Sequence, residues 1–275
     1  MRSAVKTSRR VRVLGAGLAL AASVLATTGC GAADTVSESV KTAVQTPQQK
    51  LVAAAPTTST EPFTYKITQV GAPEGEATDA FGAVNPPAKA YELTTVMNSA
   101  EPKYTLTTAF RIVDQKSWIK MKIDSEQDLG LPEIPDKWMP VDPAVLKSPD
   151  TPTGFKDQDE DPARLGALFT STVDVTESSE GKFSGTIDYT KQPNVEIVSA
   201  AIVKALGEKA KAIPFTATVV DGKVTEFVLS IPATGATKAQ TYKSVYEYGA
   251  GTPVAAPPAE ETAPMPDDVV QLLNG

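Results

Sequence analysis

From about Pro62 to Gly249 the chain alternates apolar and polar residues with a period of two, the pattern of strands that bury one face and wet the other. Phe63, Tyr65 and Ile67 share one face of a first strand, and Tyr91, Leu93, Thr95 and Met97 share one face of a second. Tyr104, Leu106, Thr108, Phe110 and Ile112 make a longer stripe. Ile119, Met121 and Ile123 follow after a short turn at Asp114-Gln115-Lys116. Strands joined this closely predict an antiparallel meander.

The period then changes. Asp161-Pro162 is a helix start signal, with Asp161 as N-cap and Pro162 at the first helical position, leading into Leu165, Leu168 and Phe169. A hairpin is expected next, over 173–177 and 182–189. Val195, Val198, Ala201, Ile202, Ala205 and Leu206 recur at three- and four-residue spacing, which predicts the longest helix, ending near Gly207. Strands over 213–220, 223–231 and 241–248 close the body, with Asp221-Gly222 as a hairpin turn between the first two of them. The order is four strands, helix, two strands, helix, three strands. It predicts one α+β domain: a single curved antiparallel sheet, a half-barrel of about nine strands, with two or three helices on its concave face.

Ahead of that body, residues 1–12 hold five basic side chains and no acidic one, and an apolar run of about 14 residues leads to Thr27-Thr28-Gly29-Cys30. This is the layout of an export signal over 1–29, too short for a membrane span of roughly 20 residues. Arg9-Arg10 hints at twin-arginine export, but Arg12 stands where that motif wants an apolar residue. Cys30 is the only cysteine. Placed directly at the cut, it is the expected lipidation site, although Thr27 stands where such motifs usually have leucine. The expected location is therefore the outer face of the cell membrane, held by acyl chains such as palmitate. Residues 30–61, rich in Ala, Thr, Ser and Val, read as a tether with a reach of roughly 30 Å, within which Asp34 to Leu51 is open to a helical reading. Residues 250–275 read as a Pro-rich and acidic tail, extended or disordered, whose last residues form at most a short helical turn.

Removing 1–29 takes away five of 26 basic residues and none of the 33 acidic ones, so the remaining 21 basic residues leave a net charge of −12. Phosphate backbones and anionic headgroups repel such a domain. Nucleic acid is therefore excluded as a partner, and the acyl anchor must hold the protein at its membrane.

Chemistry is equally constrained. The chain has no histidine, which removes the commonest general base and metal ligand; no Gly-x-Ser-x-Gly elbow is present. The run Asp157-Gln158-Asp159-Glu160-Asp161 starts like a calcium loop, but Pro162 and Leu168 occupy the positions where glycine and glutamate are needed. It reads as a solvated loop, as does the patch Asp124, Glu126, Asp128. No enzyme, metal or cofactor is expected. Trp118 and Trp138 read either as lips of a cavity or as packing residues of one core.

Taken together, Cys30, the phrases Ser117-Trp118-Ile119-Lys120-Met121 and Lys137-Trp138-Met139-Pro140-Val141-Asp142, and the ending from Tyr248-Gly249 through Gly251-Thr252-Pro253-Val254 to Ala256-Pro257-Pro258-Ala259 resemble the LppX/LprG type of actinobacterial cell-envelope lipoproteins. That resemblance implies a LolA-like sheet enclosing an apolar cavity for the acyl chains of lipids or glycolipids, which are carried or presented in the envelope. It implies no catalytic residues. The candidate walls come from the stripes: Phe63, Tyr65, Ile67, Leu93, Met97, Leu106, Phe110, Ile112, Ile119 and Met121 on strands, and Leu165, Leu168, Phe169, Val198, Ile202 and Leu206 on helices. A free sixteen-carbon chain exposes about 12 kcal/mol of apolar surface to water, so a carrier must enclose it. The rival reading is an envelope scaffold with a filled core. No residue pattern identifies the envelope component, a transporter for example, that hands lipid over.

Overall fold

The alternating stripes form strands where their period places them. In the computed structural model, which describes residues 45–71, 77–147, 152–156, 159–192, 195, 197–235, 237–249 and 253–274, a first antiparallel meander runs β1 (Phe63–Val70), β2 (Ala77–Asn85), β3 (Ala90–Ala100), β4 (Lys103–Val113), β5 (Lys116–Ser125) and the two-residue β6 (Met139–Pro140). A second runs β7 (Thr172–Ser179), β8 (Lys182–Ile187), β9 (Ile213–Val220), β10 (Lys223–Ile231) and β11 (Gln240–Tyr248). The export signal and Cys30 lie outside the described residues.

The two meanders become one sheet because β1 pairs antiparallel with β11 along its whole length, from Phe63↔Tyr248 to Val70↔Thr241. The order is β6-β5-β4-β3-β2-β1-β11-β10-β9-β8-β7. The sheet is antiparallel and open, as expected, with β6 and β7 at its edges, but it has eleven strands, not nine. The two unforeseen strands carry no apolar stripe. In β2 the inward positions include Ala80 and Gly82, and β6 is two residues long.

Four α-helices are described: α1 (Pro47–Ala54), α2 (Leu165–Thr170), α3 (Ala200–Leu206) and α4 (Asp267–Asn274). None is long and apolar enough to cross a membrane. Helix α1 falls inside the stretch expected to be tether. Thr46 and Gln49 cap it reciprocally, at 3.2 and 2.9 Å. Leu51 is fully buried. Gln48 Nε2 donates to the Phe169 carbonyl at 3.2 Å, at the open end of α2, and Lys50 pairs with Glu177 on β7 at 2.6 Å. The folded body thus begins no later than Thr46.

The other helices are shorter than the spacing suggests. Asp161 is not the N-cap residue of α2: Arg164 is, in a left-handed conformation (φ 54°). Asp161 still serves the helix start, since its carboxylate accepts the Gly166 N–H at 2.8 Å. Helix α3 is not the longest helix and does not begin near Val195. Tyr189 Oη donates to the Val195 carbonyl at 2.6 Å and accepts the Val198 N–H at 3.1 Å, so these backbone groups are bonded outside any helix. Ser199 then caps α3 through the Ile202 N–H at 3.4 Å.

Helices α1, α2 and α3 lie over the half of the sheet built from β7 to β11 and β1. There Phe169, Phe215 and Phe227 meet at ring separations of 5.7 to 6.2 Å, with Leu165, Leu168, Ile213 and Leu229 fully buried around them. The C-terminal tail crosses the other end. It adds a parallel bridge beyond β6, where the Trp138 N–H donates to the Glu261 carbonyl at 2.9 Å and the Ala263 N–H to the Trp138 carbonyl at 3.0 Å, and it ends as α4.

Candidate functional site

Residues directly opposite in antiparallel pairs share a face, so register alone sorts the inner surface into rows. One row runs Tyr248, Phe63, Val84, Tyr91, Ile112, Ser117 across β11, β1, β2, β3, β4 and β5. The next runs Tyr246, Tyr65, Gly82, Leu93, Phe110, Ile119, and the third Ser244, Ile67, Ala80, Thr95, Thr108, Met121. Met97, Leu106 and Ile123 continue a fourth.

The first row is buried from Phe63 to Ser117. In the second and third rows the two ends are buried and the middle is not. At one end Tyr65, Tyr246 and Ser244 lie in or beside the helix-covered core. At the other, Ile119 and Met121 form a second cluster with Met139 of β6 and Val269 of α4. Between them, over β2, β3 and β4, Ala80, Thr95 and Thr108 make a floor of small side chains, with Gly82 at its margin beneath the Tyr65 hydroxyl. Ile67, Leu93, Met97, Leu106 and Phe110 rise around it, inward-facing yet only half-buried. Together they make a half-buried strip of the inner face across the first meander, the trough.

The sixteen candidate wall residues therefore separate. Phe63, Tyr65, Ile112, Leu165, Leu168, Phe169, Val198, Ile202 and Leu206 are buried in the main core, and Ile119 and Met121 are buried in the second cluster. Ile67, Leu93, Met97, Leu106 and Phe110 border the trough. The floor is not among the candidates: Thr95 and Thr108 sit in recognised stripes, but Ala80 lies on a strand with no apolar signal. Trp138 is no cavity lip. It packs on the outer face, with the Arg111 guanidinium 4.5 Å from its ring centre and Arg111 paired to Glu92 at 2.6 Å. Trp118, opposite Arg111 and Pro140, shares that outer face.

One pocket borders this inner surface and another lies beside α3. The first, of about 380 Å³, lies between β5 and the segment 127–136, lined by Met121, Ile123, Leu131 and Ile134 among others. The other, of about 570 Å³, sits beside α3 against Tyr189, Val195, Val198 and Val203. Both fall within the roughly 300–1,000 Å³ range of small-molecule sites. Among the described residues, no three His, Cys, Asp or Glu side chains come together to hold a metal.

The core is rich in phenols. Tyr65 stacks on Tyr91 at 6.1 Å and donates to its hydroxyl at 3.1 Å. Burial pushes Tyr91 and Tyr189 each up to about 12 and raises Tyr65, Tyr242, Tyr246 and Tyr248 as well. All six stay uncharged at neutral pH. Asp161 lies among them, and burial lifts its carboxyl to about 6 from 3.8, opposed by the hydrogen bond from Gly166.

This predicts a pH effect of definite sign. The folded state binds the Asp161 proton more tightly than the unfolded state. Its stabilising contribution is complete below about pH 4 and is lost as pH rises through about 6, a change of about 3 kcal/mol. Urea midpoints of the parent and Asp161→Asn proteins measured across pH 4–7 should lie together near pH 4, separate progressively as the pH rises to about 6, and stay apart by a constant amount above it. The variant lacks that titration and should be the more stable of the two there. Parallel curves would contradict the assignment.

No family model matches the chain, and no curated protein matches it in sequence. Among solved structures the fold is similar to that of LprF from Mycobacterium bovis, with a TM-score of 0.44 and 14% identity over 77% of this chain and 96% of that one.

Proposed function

We propose that this protein is a non-enzymatic exported lipoprotein, anchored through Cys30 to the outer face of the cell membrane, that takes the acyl chains of lipids or glycolipids into the trough over β2, β3 and β4 and carries or presents them in the envelope. The observation that supports this reading is the pattern of burial. On one continuous sheet face, both ends are covered by the protein's own apolar side chains, while Ile67, Leu93, Met97, Leu106 and Phe110 between them stay half-buried. Leaving such a strip uncovered costs about 25 cal/mol per Å². An acyl chain is the complementary occupant: apolar, uncharged and narrow enough to lie along a floor of Ala and Thr.

The test fills the floor. Thr95→Trp places an indole at the centre of the trough, and the melting temperature checks that the fold is kept. Capture of a fluorescent sixteen-carbon fatty acid should fall by about tenfold or more, the equivalent of roughly two methylenes of lost burial. Unchanged capture would overturn the reading and favour the scaffold.

A further inference from the structure

Strand β5 is covered at its far side for only part of its length. It pairs with β6 through Trp118↔Pro140 and Ile119↔Met139 alone; among the described residues no strand lies beside Lys120–Ser125 on the side away from β4. Along that stretch the segment 127–136 stands off and leaves the pocket of about 380 Å³. Its lining includes Met121 and Ile123, and these inner-face residues are paired with Thr108 and Leu106. The pocket thus lies next to the trough, with Met121, buried against Val269 of α4, standing between them. Leu131, on its outer wall, is 42% exposed despite its size.

The C-terminal tail closes the same end from the opposite direction. Pro253–Ala256 and Pro258 border a groove on the outer face, against Thr64, Ala83, Glu92 and Arg111. The tail then passes the β6 edge at the Trp138–Thr262 bridge. From there it sets Met265, Val269 and Leu273 into the cluster that contains Ile119, Met121, Leu106 and Phe110. Two of these four, Leu106 and Phe110, also border the trough. Helix α4 is held at its end by Asn274, whose Oδ1 accepts the Lys147 N–H at 2.7 Å and whose Nδ2 donates to the Val145 carbonyl at 3.1 Å. It is eight residues long with one buried side chain, Val269. A helix that short is marginal by itself in water, and so few apolar contacts place it at the low-stability end of the structure.

We propose that acyl chains enter the trough over the β5 edge, through the pocket between β5 and 127–136, and that helix α4 is the strap that closes this portal and lifts as the chain loads. The inference rests on the acyl-binding reading above. It adds the route and the gate, and it makes the tail a working part of the site.

The test uses the mature chain carrying Cys30→Ser, mixed rapidly with the fluorescent sixteen-carbon fatty acid. Val269→Asp releases the strap. If the open form is a minor state of a few per cent, uptake should accelerate by about tenfold or more. Leu131→Trp fills the portal from an exposed position that does not threaten the fold, and it should slow uptake by about tenfold while the final amount bound stays close to the parent value. Circular dichroism checks that Val269→Asp remains folded; if it does not, the Leu131→Trp rate decides. Binding at one common rate in all three proteins overturns the portal while leaving the acyl-binding reading in place. Absence of binding in all three overturns both.

Discussion

Phe169→Ala is expected to destabilise the protein by about 3–5 kcal/mol. Phe169 is fully buried on α2, 5.7 Å from Phe227 edge to face and 6.2 Å from Phe215. The cavity left by its ring would open under a helix of six residues, with β9 and β10 too tightly paired to collapse into it. Against total stabilities of about 5–15 kcal/mol, that is a large share. Urea denaturation measures it, and Phe81→Ala is the control: Phe81 is 42% exposed on the outer face and should cost within about 1 kcal/mol. Equal losses at the two sites would show that the helix-covered half is not the main core.

The second large effect is expected at Gly82 of β2, which lies beneath the Tyr65 hydroxyl at the margin of the trough. A Cβ there would run into the Glu92 carbonyl oxygen and lie 3.2 Å from Tyr65 Oη. The first is backbone of the paired strand β3 and cannot swing away. The second belongs to a phenol that crosses β2 to reach the Glu92 carbonyl at 3.2 Å and the Tyr91 hydroxyl at 3.1 Å. Gly82→Ala must therefore part β2 from β3 locally and displace the stacked tyrosines, at a cost of about 3 kcal/mol or more, the upper range for overpacking. Gly235→Ala, with nothing within 4 Å of its added Cβ, should be close to neutral. A melting temperature for Gly82→Ala equal to that of Gly235→Ala would contradict the close approach.

These two sites mark what was and was not legible in the sequence. Period-two alternation found β9 and β10 to the residue, because Ile213, Phe215 and Ala217 and then Phe227, Leu229 and Ile231 bury every second side chain. It missed β2 because a strand that floors a trough is built from small residues, and Ala80 and Gly82 give no stripe. Helical spacing overextended α3 because Val195 and Val198 keep it while Tyr189 claims their backbone groups. Helix α1 overlaps the helical option at Asp34 to Leu51, but its docking was hidden because eight residues with a single fully buried leucine carry little apolar signal of their own; Gln48 and Lys50 dock it through contacts more than 100 residues away in sequence.

The division of the candidate walls was beyond reach for a different reason. Alternation reports which face a side chain takes, and Phe63 and Leu93 take the same face. Whether that face is then covered depends on where α1, α2, α3 and α4 land, which is a tertiary outcome. Phe63 falls under the helices and Leu93 between the two covered regions.

The most direct test of the central claim is to express the mature chain with Cys30→Ser in a lipid-rich host, purify it without detergent, extract it and examine the extract by mass spectrometry. Acyl lipid recovered in near-stoichiometric amount from this protein, and sharply reduced from Thr95→Trp, is the expected result. An extract free of lipid from a protein that also fails to take up added fatty acid would contradict the account.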